Sequence, residues 1–240
     1  MTDIEEIKKI IEETDNIVFF GGAGMSTESG IPDFRSADGI YNQKYKYPPE
    51  EIISASFFYD NPKVFYEFYR EKIIAPMLKA EPNKGHIKLA EWERQGKLKG
   101  VITQNIDNLH QRAGSEKVYE LHGGNEKNYC IKCHNTENFD YLVNSEGICR
   151  CSQCGGIIHP GIVLYEEGLD DYVVRESIRL IEEADVMIVA GTSLRVYPAA
   201  GLINYYHGNK LILINLDTSV ATGRINYVVQ GKAGDVLGRL

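Results

Sequence analysis

The sequence predicts an α/β fold with a largely parallel sheet and a second, smaller domain formed by two insertions. Three observations carry this. Apolar runs at 16–20, 101–103, 186–190 and 211–214 are short and continuous, as strands covered on both faces are. Helical patterns at 86–95, 172–183 and 198–206 separate several of them, and such alternation builds parallel sheets. A glycine-rich turn, Gly21-Gly-Ala-Gly24, follows the first strand at once.

The elements follow in order. Residues 2–13 read as a helix, with Ile4, Ile7, Ile10 and Ile11 on one face and Thr2 with Glu5 resembling a capping box. Strand 16–20 leads into the glycine turn. Residues 118–121 and 157–164 are further strand candidates. Two stretches interrupt the alternation: 36–82 is aromatic and helix-like, and 125–156 holds all five cysteines. Both read as insertions over the sheet's C-terminal edge, where open α/β sheets bind ligands. The larger domain is then 1–35, 83–124 and 157–240, and the smaller is 36–82 with 125–156.

Composition narrows the function classes. A chain of 240 residues with 43% hydrophobic residues can bury a substantial core. A net charge of -8 argues against direct nucleic-acid binding, which needs a basic face. It suits a basic partner such as a lysine-rich peptide. No apolar run approaches the roughly 20 residues that cross a bilayer, and the charged N-terminus lacks a signal peptide's apolar stretch. No membrane association is expected, and the cytoplasm is the expected compartment.

The cysteines point to metal. Cys130-Ile-Lys-Cys133 and Cys151-Ser-Gln-Cys154 form two Cys-x-x-Cys knuckles seventeen residues apart. Each knuckle can bite one ion, and two complete a thiolate tetrahedron with no open position, so the expected ion is a structural zinc. Cys149 is left over. Clustering and an odd count argue against disulfides.

The glycine turn continues as Gly22-Ala-Gly-Met-Ser-Thr27. Glycines after a strand let the backbone approach a diphosphate. As a dehydrogenase fingerprint the segment fails, because Thr27 replaces the third glycine and no second strand carries an acid about 20 residues on. A plain turn would not explain Asp33-Phe-Arg35 just beyond.

From Gly22 to Arg35 the segment resembles the signature block of the sirtuin family. Thr103-Gln-Asn-Ile-Asp107, Leu109-His110, Leu121-His-Gly123, the two knuckles, Gly191-Thr-Ser193, Ile214-Asn215 and Gly231-Lys-Ala-Gly-Asp235 follow in that family's order. The resemblance implies a Rossmann-like NAD domain with a helical and zinc-ribbon domain, NAD consumed as co-substrate, and acyl-lysine proteins or peptides as partners. It implies that Ala23 and Thr27 hold the diphosphate, and that Phe34 and Arg35 cover the nicotinamide ribose. Gln104, Asn105, Ile106 and Asp107 would surround that ribose and the carboxamide pocket. Thr192 and Ser193 would serve the adenosine, Asn215 and Asp217 its ribose, and Lys232 the adenine. His122 would be the general base, a role suited to a neutral imidazole near neutrality. The implied reaction moves an acyl group, most readily acetyl, from lysine to ADP-ribose and releases nicotinamide.

Three positions depart from the family pattern: Gly124, Gly161 and Glu166, the last standing where a glycine would let a peptide backbone approach. Family members that remove acidic acyl groups carry a Tyr-x-x-Arg pair, and the matching stretch here is Tyr69-Arg-Glu-Lys72. Lys72 could pair with a carboxylate, without arginine's bidentate fork. Desuccinylation or demalonylation, mono-ADP-ribosyl transfer, an NAD-linked dehydrogenase and an NAD-sensing module are the alternatives.

Overall fold

The computed structural model describes residues 2–36, 39–221 and 223–240. It divides into two compact units, Met1–Ile31 with Glu81–Leu121 and Asp170–Leu240, and Pro32–Ala80 with His122–Leu169. Among the described residues the strands are β1 (Ile17–Gly21), β2 (Leu98–Thr103), β3 (Val118–Glu120), β4 (Asn128–Cys130), β5 (Thr136–Glu137), β6 (Ile158–His159), β7 (Val186–Ala190), β8 (Leu211–Asn215) and β9 (Tyr227–Gln230).

The first unit holds a parallel six-stranded sheet in the order β3-β2-β1-β7-β8-β9. β1 and β7 are buried at every residue, as their unbroken apolar sequences require. The chain winds outward from β1 through β2 to β3, then returns to β7 on β1's other side. The winding therefore reverses between β1 and β7, and ligands of open α/β sheets bind beyond the strand ends at such a reversal.

Helix Ile4–Glu12 buries Ile7, Ile10 and Ile11, which join Phe19, Leu89, Trp92, Ile188, Ile212 and Leu237 in one core. Its cap is Asp3, not Thr2: the Asp3 carboxylate accepts from the Glu5 amide at 3.3 Å. Thr2 is used elsewhere. Its N–H donates to Val228 O at 2.8 Å, and its hydroxyl accepts from the Val228 amide at 3.0 Å. Helix Lys84–Arg94 has the reciprocal cap that asparagine favours. Asn83 Oδ1 accepts from the amides of Gly85 and His86, and His86 Nδ1 accepts from the Asn83 amide at 3.2 Å. The His86 ring is fully buried and meets the buried His110 ring edge-on, with centroids 4.7 Å apart.

In the second unit, short helices Pro49–Ile52, Ala55–Asp60 and Pro62–Phe68 lead into a wide π-type turn, Tyr69–Ile74. They bury Phe57, Phe58, Phe65, Tyr66, Phe68 and Tyr69. β4 lies between β5 and β6 in a small antiparallel sheet.

The strand expected over 157–164 shortens to β6. Pro160 has no N–H to give, and the Gly161 amide turns to Asn128 Oδ1 at 3.0 Å. Residues 157–169 and 122–124 also fall in the second unit instead of with the large sheet. Their backbone partners explain it: β6 pairs with β4, Val163 with His122, and Tyr165 with Ile53 and Ala55. No helix of the described residues is long and apolar enough to cross a membrane.

Candidate active site and metal centre

In the first unit the expected NAD residues follow the C-terminal ends of parallel strands. Ala23 and Thr27 follow β1, Gln104 to Asp107 follow β2, Thr192 and Ser193 follow β7, Asn215 and Asp217 border the end of β8, and Lys232 follows β9. The loop after β1 does not open into an α-helix. It makes two 3-10 turns, Ala23–Met25 and Thr27–Ser29, ended by Gly30 at a φ of 87°.

That loop is pressed against the loop after β7. Gly24 N–H donates to Gly191 O at 2.8 Å, and a Cβ on Gly24 would lie 2.8 Å from Gly191 Cα. Only glycine permits this approach.

Beside it lies a buried polar cluster. Asp107 Oδ2 accepts from the Ser26 hydroxyl at 2.5 Å and Oδ1 from the Leu109 amide at 3.0 Å, while Asn105 Nδ2 donates to Ser26 Oγ at 3.0 Å. Burial pushes the Asp107 carboxyl above the usual range, opposed by the Ser26 hydroxyl and the Leu109 amide. Gln104 Nε2 donates to Thr192 Oγ1 at 3.1 Å, and Asn215 Nδ2 donates to the carbonyls of Thr192 at 3.1 Å and Asp217 at 2.9 Å. The structure thus links Gln104, Thr192, Asn215 and Asp217 in one chain of contacts, and Asn105 with Asp107 in another. Ile106 is half-buried, and Lys232 is exposed at the N-terminus of helix Ala233–Arg239.

Sequence reasoning missed Ser26, the hub of the Asn105–Asp107 cluster. It also missed Glu28, whose Oε2 accepts from the amides of Gly234 and Asp235 at 2.7 and 3.2 Å. Both lie inside the quoted glycine block, but nothing in spacing alone assigns them partners. These donors and acceptors fit a dinucleotide: amide and carboxylate side chains match a ribose diol and a carboxamide, and the glycine loop lets backbone amides approach a diphosphate.

In the second unit, Phe34 packs against Tyr41 with centroids 5.3 Å apart, and the Arg35 guanidinium lies 5.2 Å from the same ring. The Asp33 carboxylate fixes this turn by accepting from the amides of Arg35 and Ser36 at 3.0 and 2.8 Å. Tyr41 and Tyr165 hydroxyls meet at 3.1 Å. His122 is half-buried, and its carbonyl accepts from the Val163 amide at 2.8 Å. The departure at Gly161 gains a reason: Gly124 N–H donates to Gly161 O at 3.1 Å, and a Cβ on Gly161 would lie 2.5 Å from Gly124 O, so position 161 has no room for a side chain.

The four expected zinc ligands converge. Ligand atoms of Cys130, Cys133, Cys151 and Cys154 all lie within 4.8 Å of one another, with Sγ pairs 130–154 at 3.5 Å and 133–151 at 3.6 Å. A zinc tetrahedron with bonds of about 2.3 Å has edges of about 3.8 Å, so the site fits the ion. Amides of Lys132, Gln153 and Gly156 donate to three of the sulfurs at 3.4 Å, which favours thiolates. Cys149 is buried outside this group, and burial pushes its thiol up.

Tyr69 and Lys72 do not form an open acid-binding pair. Tyr69 is fully buried, stacks on Phe65 and donates its hydroxyl to Asn125 Oδ1, while Lys72 pairs with Glu71 at 2.8 Å.

Comparison with known proteins agrees with this geometry. The chain is 53% identical over 237 residues to an NAD-dependent protein deacetylase of Clostridium acetobutylicum, covering 98% of this chain and 96% of that one. It is 43% identical over 244 residues to NAD-dependent protein deacylase 2 of Archaeoglobus fulgidus, covering 99% and 94%. A solved structure of Sir2 with a p53 peptide and NAD+ superposes with a TM-score of 0.86 at 39% identity, covering 99% of this chain and 97% of that one. A structure of Sir2Tm with a propionylated peptide gives 0.86 at 38%, with the same coverage. The Sir2 family profile matches residues 22–198, and the chain belongs to the Sir2 family.

Proposed function

We propose that this protein removes acyl groups, acetyl first among them, from protein lysine side chains and consumes NAD. The observation that carries the reading is the buried Ser26–Asn105–Asp107 cluster beyond β2, beside the loop after β1. Buried polar groups at a sheet's C-terminal edge cost stability unless they serve a ligand or one another. The relatives' names as NAD-dependent deacetylases and deacylases support the same reading.

NAD, when bound, supplies an electrophilic ribose carbon and a nicotinamide leaving group. The amides of 22–27 with Ala23 and Thr27 would hold its diphosphate, and Gln104, Asn105, Ile106 and Asp107 its nicotinamide half. Thr192, Ser193, Asn215, Asp217 and Lys232 would hold the adenosine half. Asp107 stands in a low-dielectric setting, where its carboxylate form would favour positive charge developing on a nearby sugar. Phe34 would keep water from the reacting carbon, with Arg35 beside it. His122 would accept the proton of a ribose hydroxyl through its neutral imidazole.

The four cysteines would hold a structural zinc that fixes the ribbon and does no chemistry. A four-thiolate site suits a reducing compartment, and we place the protein in the cytoplasm. The pairing of Lys72 with Glu71 favours acetyl and other neutral acyl groups over succinyl or malonyl.

Mass spectrometry of products from NAD and an acetyl-lysine peptide tests this. Nicotinamide, deacetylated peptide and O-acetyl-ADP-ribose are expected. NADH fluorescence would establish a dehydrogenase instead, and label retained on the acceptor an ADP-ribosyltransferase.

A further inference from the structure

One polar cluster in the second unit has no role in the reaction described above. His159 is fully buried, stacked on Tyr129 at 4.8 Å and edge-on to Phe58 at 4.8 Å. Its Nδ1 lies 2.6 Å from the Pro160 carbonyl oxygen, and its Nε2 lies 3.0 Å from Glu167 Oε1. The carbonyl can only accept, so Nδ1 carries hydrogen and donates to it. Nε2 faces the Glu167 carboxyl group off a good hydrogen-bond line. The titratable groups facing the ring are Glu167 and, from β4, Tyr129; helix Ala55–Asp60 presents Phe58, with Tyr59 against it.

Glu167 in turn closes a tight bend. Its Oε2 accepts from the Leu164 amide at 2.7 Å, and its own N–H donates to Leu164 O at 3.1 Å. Glu166 stands at a φ of 78°, a left-handed conformation that L-residues rarely adopt. The Ser56 amide and hydroxyl hold it by donating to its carboxylate at 2.9 and 3.0 Å. Tyr165 donates to Ile53 O and accepts from the Ala55 amide, both at 3.0 Å. The segment entering this bend is hydrogen-bonded to the one that carries His122: the Val163 amide donates to His122 O, and Gly161 O accepts from the Gly124 amide.

We propose that Glu167 is a positioning residue for His122, acting through the 161–164 segment, and that the buried His159 ring, whose Nε2 faces its Oε1, holds it in place. The inference rests on His122 as the base of the proposed reaction. A base displaced by a fraction of an ångström loses much of its effect while its own atoms are untouched.

Glu167→Gln keeps the shape and an acceptor for Leu164 but removes the charge. With an acetyl-lysine peptide, kcat is expected to fall about tenfold while KM for NAD stays within about twofold. Zinc content stays the same, and the ring NMR signal of His122 moves. His159→Phe, which keeps a packed ring but no polar edge toward Glu167, should reproduce the loss. Wild-type kcat with an unmoved His122 signal in Glu167→Gln overturns the proposal, as does wild-type kcat in His159→Phe. The ring signal is read without turnover. A moved signal alongside full activity in His122→Ala would therefore retire the base assignment and leave the positioning role standing.

Discussion

His86 gives the structure a built-in sensitivity to acid. Its ring is buried in the first unit, Nδ1 accepts from the Asn83 amide, and the neighbouring His110 ring is buried as well. Burial lowers the His86 pKa from 6.5 to about 4, and it holds His110 well below its ordinary value, helped by His86. A base whose folded pKa is depressed contributes stability in full above its unfolded pKa. That stability is lost as pH falls toward the folded one. Each pH unit between 6.5 and 4 removes about 1.4 kcal/mol, so going from pH 7.5 to pH 5 costs about 2 kcal/mol through His86 alone. His110 steepens the decline further. The variant to compare is His86→Gln, which does not titrate but can still accept from the Asn83 amide as the third helical residue of a capping box. Urea unfolding of both proteins at several pH values gives the slopes, and their difference cancels any contribution from the cysteine ligands. The wild type should lose about 2 kcal/mol more than the variant over this range. Parallel stability curves would refute the burial argument.

Other outcomes follow from the same geometry. His122→Ala should keep its fold and its NAD affinity but lose nearly all deacetylation, read as O-acetyl-ADP-ribose formed per enzyme. Gly24→Ala forces a methyl into Gly191 and should weaken NAD binding by about tenfold or more in calorimetry. Cys151→Ser should remove the bound zinc, measured by elemental analysis, whereas Cys149→Ser should leave it in place. Acetyl peptide should exceed succinyl peptide in kcat/KM by about tenfold or more, because Glu71 already occupies Lys72 and the Tyr69 hydroxyl is committed to Asn125.

The parts of the fold that sequence reveals are those whose local pattern matches their burial. β1, β7 and β8 read as unbroken apolar runs because both faces are covered, and the two cysteine knuckles announce their ion by spacing. β9 escaped notice because it is short and only partly covered at the sheet's margin, half-buried at Tyr227 and Val228, buried at Val229 and exposed at Gln230. The 157–164 stretch looked like a core strand, yet Pro160 and Gly161 divide it, and its partners lie far off in the chain. Loop chemistry was legible in kind but not in wiring. Asn105 and Asp107 stood out, whereas Ser26 acquires its role only when the loops after β1 and β2 meet. Tyr69 likewise looked available as a hydroxyl, and only packing against Phe65 shows that it belongs to the core.

The pairing of Thr2 with Val228 has a consequence for how copies of this protein behave at high concentration. β9 is a margin of the large sheet, and a bare margin offers amides and carbonyls on which a foreign strand can nucleate. Thr2 occupies both groups of Val228, a residue in the middle of that margin. Trimming or displacing those first residues would uncover a template for intermolecular β-addition, so light scattering should reveal self-association before any loss of helical signal.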